Sequence, residues 1–166
     1  WVDAAIDITG DGTNRVGDDH EFTVTAWQDT SAAGGFAKAG GVLVSVQLAD
    51  ANGAATGADQ QCTTETDTND ADFGTCTVTF TSATTGTTTG TASATITVQG
   101  EAISVSTSTD ALTEGAESVL KTWIDARLSI TGDGTNGIGE PHTFTALLEL
   151  DNGDGTGFQP VVGGTV

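Results

Sequence analysis

Cys62 and Cys76 close the stretch CTTETDTNDADFGTC, the first place in this chain where residue types and spacing predict a reaction. Oxidation would shut a polar, acidic ring of about 15 residues, which on chain-entropy grounds contributes on the order of 3 kcal/mol. The spacing predicts a disulfide, and with it an oxidising compartment. The alternative is two separate thiols, with Cys76 an ordinary core residue. The two histidines, His20 and His142, each stand two residues ahead of a phenylalanine, Phe22 and Phe144. A triad or a zinc site needs partners that converge in one pocket. One histidine in each half of the chain points instead to packing at the start of a strand. Serines fall in Thr/Ser runs without a Gly-x-Ser-x-Gly elbow, glycines fall singly in turns, and no carboxylate pair sits in a cleft context. The expectation is a protein that is not an enzyme.

Carboxylates raise the question of a metal. Asp7, Asp11, Asp18 and Asp19 gather around one turn, Asp133 and Glu140 around a second, and Asp151 and Asp154 lie in DNGDGTG. Hard oxygen ligands at short spacing suit Ca²⁺. The twelve-residue calcium loop pattern is missing, however, and the second turn carries Ser129 and Pro141 where the first has Asp7 and Asp19. Carboxylates solvated at turn tips are the expectation there. A separate calcium candidate is the set Asp110, Glu114, Glu117 and Asp125, which a cation could draw together. Calcium is the one cofactor the sequence suggests.

The elements that must position these residues repeat. Residues 1–26, WVDAAIDITGDGTNRVGDDHEFTVTA, return as residues 123–148, WIDARLSITGDGTNGIGEPHTFTALL. A copy at fixed spacing is the signature of a tandem array, here with a unit of about 120 residues. Gly35-Phe36 aligns with Gly157-Phe158, and Gly40-Gly41-Val42-Leu43 with Gly163-Gly164-Thr165-Val166. The expected division is a complete unit over 1–118, then a joint strand and the first strands of a second unit over 119–166.

Alternation of period two predicts strands. Val2, Ala4, Ile6 and Ile8 share a face, as do Phe22, Val24 and Ala26; Val42, Val44, Val46 and Leu48; Cys76, Val78 and Phe80; Ala92, Ala94, Ile96 and Val98; and Ile103 and Val105. A weaker strand is expected near 58–64. TGDGTN reads as a turn, and Asp110–Ala116 as a polar turn-like stretch. Val119 to Ile130 alternates without a Gly/Ser/Pro linker, which predicts one strand running from the first unit into the second and a stiff joint. Trp1 and Trp123 occupy equivalent places, and burial against the end of a neighbouring unit is their expected role. Six clear strands, each with one apolar and one hydroxyl-rich face, predict an all-β, immunoglobulin-like antiparallel β-sandwich with an incomplete second copy.

Net charge is −19 with four basic residues, Arg15, Lys38, Lys121 and Arg127. Phosphate binding needs clustered Lys and Arg, so nucleic acid and anionic membrane are excluded as partners. No apolar run is long enough to cross a bilayer and no leader is recognisable at Trp1. Threonine is abundant and suits a pleated, half-exposed face. The Thr81–Thr95 run reads as exposed strand.

The ITGDGTNRVGDDHEFTVTA block with its copy, and the FGTCTVTFTSATTGTTTGTASATITV block, resemble the bacterial immunoglobulin-like repeats of invasin/intimin-type and related large exported surface proteins. The resemblance covers most of the first unit and what is present of the second. It implies export and stacking into rods whose partners are adjacent repeats or copies of the same chain. The expected function is a structural repeat of an extracellular filament, sheath or cell-surface stalk, assembled in one version by strand complementation between neighbours. The alternative is an adhesin repeat that binds a host protein or glycan through its loops, the 50–75 loop first among them.

Overall fold

A computed structural model describes residues 1–31 and 35–161. The alignment of residues 163–166 with 40–43 lies outside the described residues. The regular secondary structure of the described residues is nearly all strand, arranged as antiparallel sheets in a sandwich. One layer is built on β3 (His20–Asp29), which pairs with β1 (Asp3–Thr9) on one side. On its other side β3 pairs with β7 (Thr75–Phe80) and, further along, with the short β4 (Ala37–Lys38). The second layer is built on β8 (Gly86–Val98), flanked on one side by β5 (Leu43–Ala51) and then β6 (Gln60–Thr63). The other side of β8 is shared by β9 (Glu101–Ser106) and the first half of β10 (Val119–Thr131). Between β9 and β10 lie one helical turn, α1 (Thr107–Asp110), and a loop.

The predicted alternation explains the core. Ile6, Ile8, Phe22 and Val24 from one layer meet Val44, Val46, Ile96 and Val98 from the other, all of them buried. Each such side chain taken out of water stabilises the fold by about 2 kcal/mol. Both sides of the sandwich are bridged between layers. On one side the Cys62–Cys76 disulfide ties β6 to β7 with Cα atoms 5.8 Å apart. On the other side the chain itself crosses from β1 into a second short strand.

That strand, β2 (Gly12–Arg15), departs from the sequence reading of TGDGTN as a turn. Gly10, at φ 130°, bends the chain out of the first layer. Residues 12–15 then pair in parallel with β10, Lys121 opposite Gly12 and Trp123 opposite Asn14. A polar four-residue strand has no apolar periodicity of its own, so only its partner reveals it. β8 also begins earlier than expected, at Gly86, because its first turn of pairing runs through Gly and Thr. Thr88 within it is fully buried, contrary to the exposed reading of Thr81–Thr95.

Asp7 is a second correction. It does not stand solvated at a turn tip but is buried, accepting from the Trp27 indole at 3.0 Å, the Leu112 and Thr113 amides at 2.7 and 3.0 Å, and the Thr113 hydroxyl at 2.8 Å. One carboxylate thereby holds the 111–118 loop against β1. Asp7→Ala leaves those donors unmatched and is expected to cost on the order of 3 kcal/mol. Urea unfolding checks it, the midpoint falling with the slope unchanged.

Candidate functional site

Strand β10 is where the two halves of the chain meet. Its first half, 119–124, hydrogen-bonds to β8 and to β2. Its second half, 125–131, hydrogen-bonds to β11 (Thr145–Asp151), which carries the short β12 (Gln159–Pro160) on its far edge. No irregular residue separates the halves. The 125–131/145–151 pair repeats the register of the 3–9/23–29 pair residue for residue, Asp3 opposite Asp29 and Asp125 opposite Asp151, Ile6 opposite Ala26 and Leu128 opposite Leu148. Gly132, at φ 126°, repeats Gly10, and the ring Nε2 of His142 meets the Gly132 carbonyl as that of His20 meets Gly10.

One difference separates the copies. Ile6, Ile8 and Phe22 are fully buried, whereas their counterparts Leu128, Ile130 and Phe144 are 58%, 67% and 62% exposed. The second strand pair has the apolar face of a sandwich layer without a layer on it among the described residues.

A second contact ties the halves. Asp151, at the end of β11, is buried and accepts from the Thr85 hydroxyl at 2.8 Å and the Gly153 amide at 3.0 Å. Gly153 sits so close to the first half that a Cβ there would lie 2.5 Å from the Trp123 carbonyl and 2.7 Å from that of Gly86. Only glycine lets the 151–157 loop dock there.

Trp123 is fully buried, inside the core of the first sandwich. It meets Phe80 edge to face at 6.0 Å, and its indole donates to Thr88 Oγ1 at 3.1 Å. Thr88 in turn donates to Asp50 at 2.7 Å. Trp1, its sequence counterpart, is fully exposed. Two residues before Trp123, and on the same face, Lys121 is also fully buried, its Nζ donating to Asn14 Oδ1 at 2.6 Å and lying 5.2 Å from the Trp123 ring centre. Burial pushes the ammonium down from 10.5 to about 8, with Asp18 opposing. His20 lies beside it, edge-on to Phe22, Phe80 and Trp123. Sequence reading passed over Lys121 and Asn14. The signal was available: alternation puts position 121 on the inward face with Val119 and Trp123.

The proposed calcium residues are engaged separately. Asp110, the last residue of α1, accepts from the amide of the N-cap Ser106 at 2.9 Å and from the Thr109 hydroxyl at 2.7 Å. Asp125 accepts from the Ala126 amide at 2.8 Å, and Glu114 and Glu117 are exposed in the loop. Among the described residues, no three His, Cys, Asp or Glu side chains are grouped to hold a metal ion. Nor is any helix long and apolar enough to cross a membrane. Comparison with protein-family models, curated proteins and solved structures finds no match.

Burial, then the positive charge of Lys121, lower the His20 pKa below 6.5, against the opposing pull of the Gly10 carbonyl and Glu21. The folded state therefore binds the proton less tightly than the unfolded one. The stability due to neutral His20 is complete above pH 6.5 and is lost as pH falls through the lower folded value. Denaturation midpoints are expected to fall between pH 7 and pH 5, and His20→Gln to flatten that slope.

Proposed function

We propose that this chain is a structural, non-catalytic length of an extracellular filament, sheath or cell-surface stalk built from stacked immunoglobulin-like sandwiches. The observation that carries the proposal is β10, one strand that completes the first sandwich and opens the second strand pair. A flexible linker would let the units swing, whereas a continuous strand with a docked 151–157 loop holds them in one orientation. The repeated register means the arrangement can be propagated, because each unit ends by starting the next. The disulfide supports an oxidising location. The acidic surface keeps neighbouring rods apart in solution.

The bare face of β10 and β11 asks for strands with the pattern of β5 and β8, alternating Val, Ile or Ala with Ser and Thr. In this reading they come from a further repeat, in the same chain or donated by a neighbouring copy. Tandem in-frame copies of the 122-residue period are expected in negative-stain images as straight rods whose length grows in proportion to copy number. A Gly-Ser linker inserted between Ile124 and Asp125 is expected to turn them into jointed beads. Beads without the insertion would overturn the proposal.

A further inference from the structure

Lys121 is the only fully buried cation among the described residues, and its single hydrogen-bond partner is a neutral amide, Asn14. The only ion pair among those residues is Arg127 with Glu149, elsewhere on the chain. Enclosing an ammonium whose hydrogen bond goes to a neutral amide is costly, and the cost disappears if the nitrogen becomes part of an amide. We propose that Lys121 and Asn14 react with each other, forming an intramolecular isopeptide bond that joins β10 covalently to β2.

The geometry supplies the conditions for transamidation. Trp123 lies opposite Asn14 and Lys121 opposite Gly12, so Nζ and the carboxamide are diagonal neighbours on one inward face. Nζ already lies 2.6 Å from Oδ1, the oxygen bonded to the carbon it must attack. Asn14 Nδ2 donates to the Asp19 carbonyl at 2.8 Å, which fixes the plane of the amide and leaves Oδ1 toward the lysine. With its pKa pushed to about 8, roughly a tenth of the lysine is free amine at neutral pH. Proximity of this kind replaces a bimolecular encounter.

His20 is placed to carry the proton. A side chain at Gly12 would begin 3.5 Å from His20 Cε1 and 3.6 Å from Lys121 Nζ, so glycine there leaves the ring and the amine facing one small space. In the copy, His142 Nδ1 lies 3.0 Å from Asn136 Oδ1, which shows the face the ring turns to the amide. Asp18 is the carboxylate whose charge reaches Lys121, and Glu21 the one that reaches His20. The ammonium passes one proton to the imidazole. The freed Nζ lone pair forms a bond to Asn14 Cγ, and the C=O pair moves onto Oδ1. As the carbonyl re-forms, the Cγ–Nδ2 bond breaks and Nδ2 leaves as ammonium, carrying the proton returned by the imidazole and a second one given up by Nζ. One C–N bond forms, one breaks, and no oxidant or co-reactant is needed.

The inference stands whether or not the chain builds a filament, because its test reads the bond alone. Intact mass of the full chain, unfolded with its disulfide reduced, is expected to fall short of the sequence mass by one ammonia. Asn52-Gly53, Asn136-Gly137 and Asn152-Gly153 could lose ammonia by succinimide formation, so location matters as much as mass. Proteolysis and fragmentation are expected to yield one branched peptide containing both Asn14 and Lys121. Asn14→Ala and Lys121→Gln are each expected to restore the full mass, and His20→Gln to slow bond formation at least tenfold. Full mass in the parent chain, with Asn14 and Lys121 recovered on separate peptides, overturns the proposal, as does an ammonia loss mapped only to an Asn-Gly site. An unchanged rate in His20→Gln removes the histidine from the mechanism.

Discussion

A β-strand must satisfy its amides and carbonyls along its whole length, and β10 does so with two different sets of partners. From Val119 to Ile124 they are β8 and β2; from Asp125 to Thr131 they are β11. No flexible segment separates the two halves, so their relative freedom is confined to the backbone torsions where Ile124 meets Asp125. The docked loop around Asp151 and Gly153 closes the remaining freedom. The orientation of the second strand pair is therefore a consequence of backbone pairing together with the docked Asp151–Gly153 loop.

The same strand decides how tension would travel. β2 and β10 lie side by side and parallel, the chain arriving through one and leaving through the other. Pulling the ends apart shears their hydrogen bonds together instead of opening them one at a time. Buried polar contacts support this region: Trp123 has its indole on Thr88, Lys121 its ammonium on Asn14, and Asp7 on β1 holds the 111–118 loop. A core built mainly of valine, alanine and isoleucine, with few large aromatics, gains less from apolar area than one rich in leucine and phenylalanine. It is supplemented by satisfied polar contacts, and no buried side-chain polar atom among the described residues lacks a partner.

The sandwich was legible in the sequence because alternation records burial directly. Phe22-Val24-Ala26 and Val44-Val46-Leu48 fall on the inward face as the pattern requires. The disulfide was legible from spacing, although its position across the two layers was not. What stayed hidden depends on partners far away in the chain. β2 is a strand only because β10 lies beside it, 107 residues later. Thr88 looks like its exposed neighbours until the Trp123 indole is placed on it. Asp7 looks like any turn aspartate until Leu112 and Thr113 arrive with their amides. Lys121 is the most instructive case, since its charge argued for the surface while its register put it inside.

The central physical claim is that the strands of the first sandwich and the 125–131/145–151 pair move as one body, held by β10 and the docked loop. Residual dipolar couplings from a weakly aligned sample of the chain measure this directly. The claim predicts that one alignment tensor, fitted to the amides of the first sandwich, reproduces the couplings of residues 125–131 and 145–151. Couplings there that demand a separate, strongly averaged tensor would contradict it.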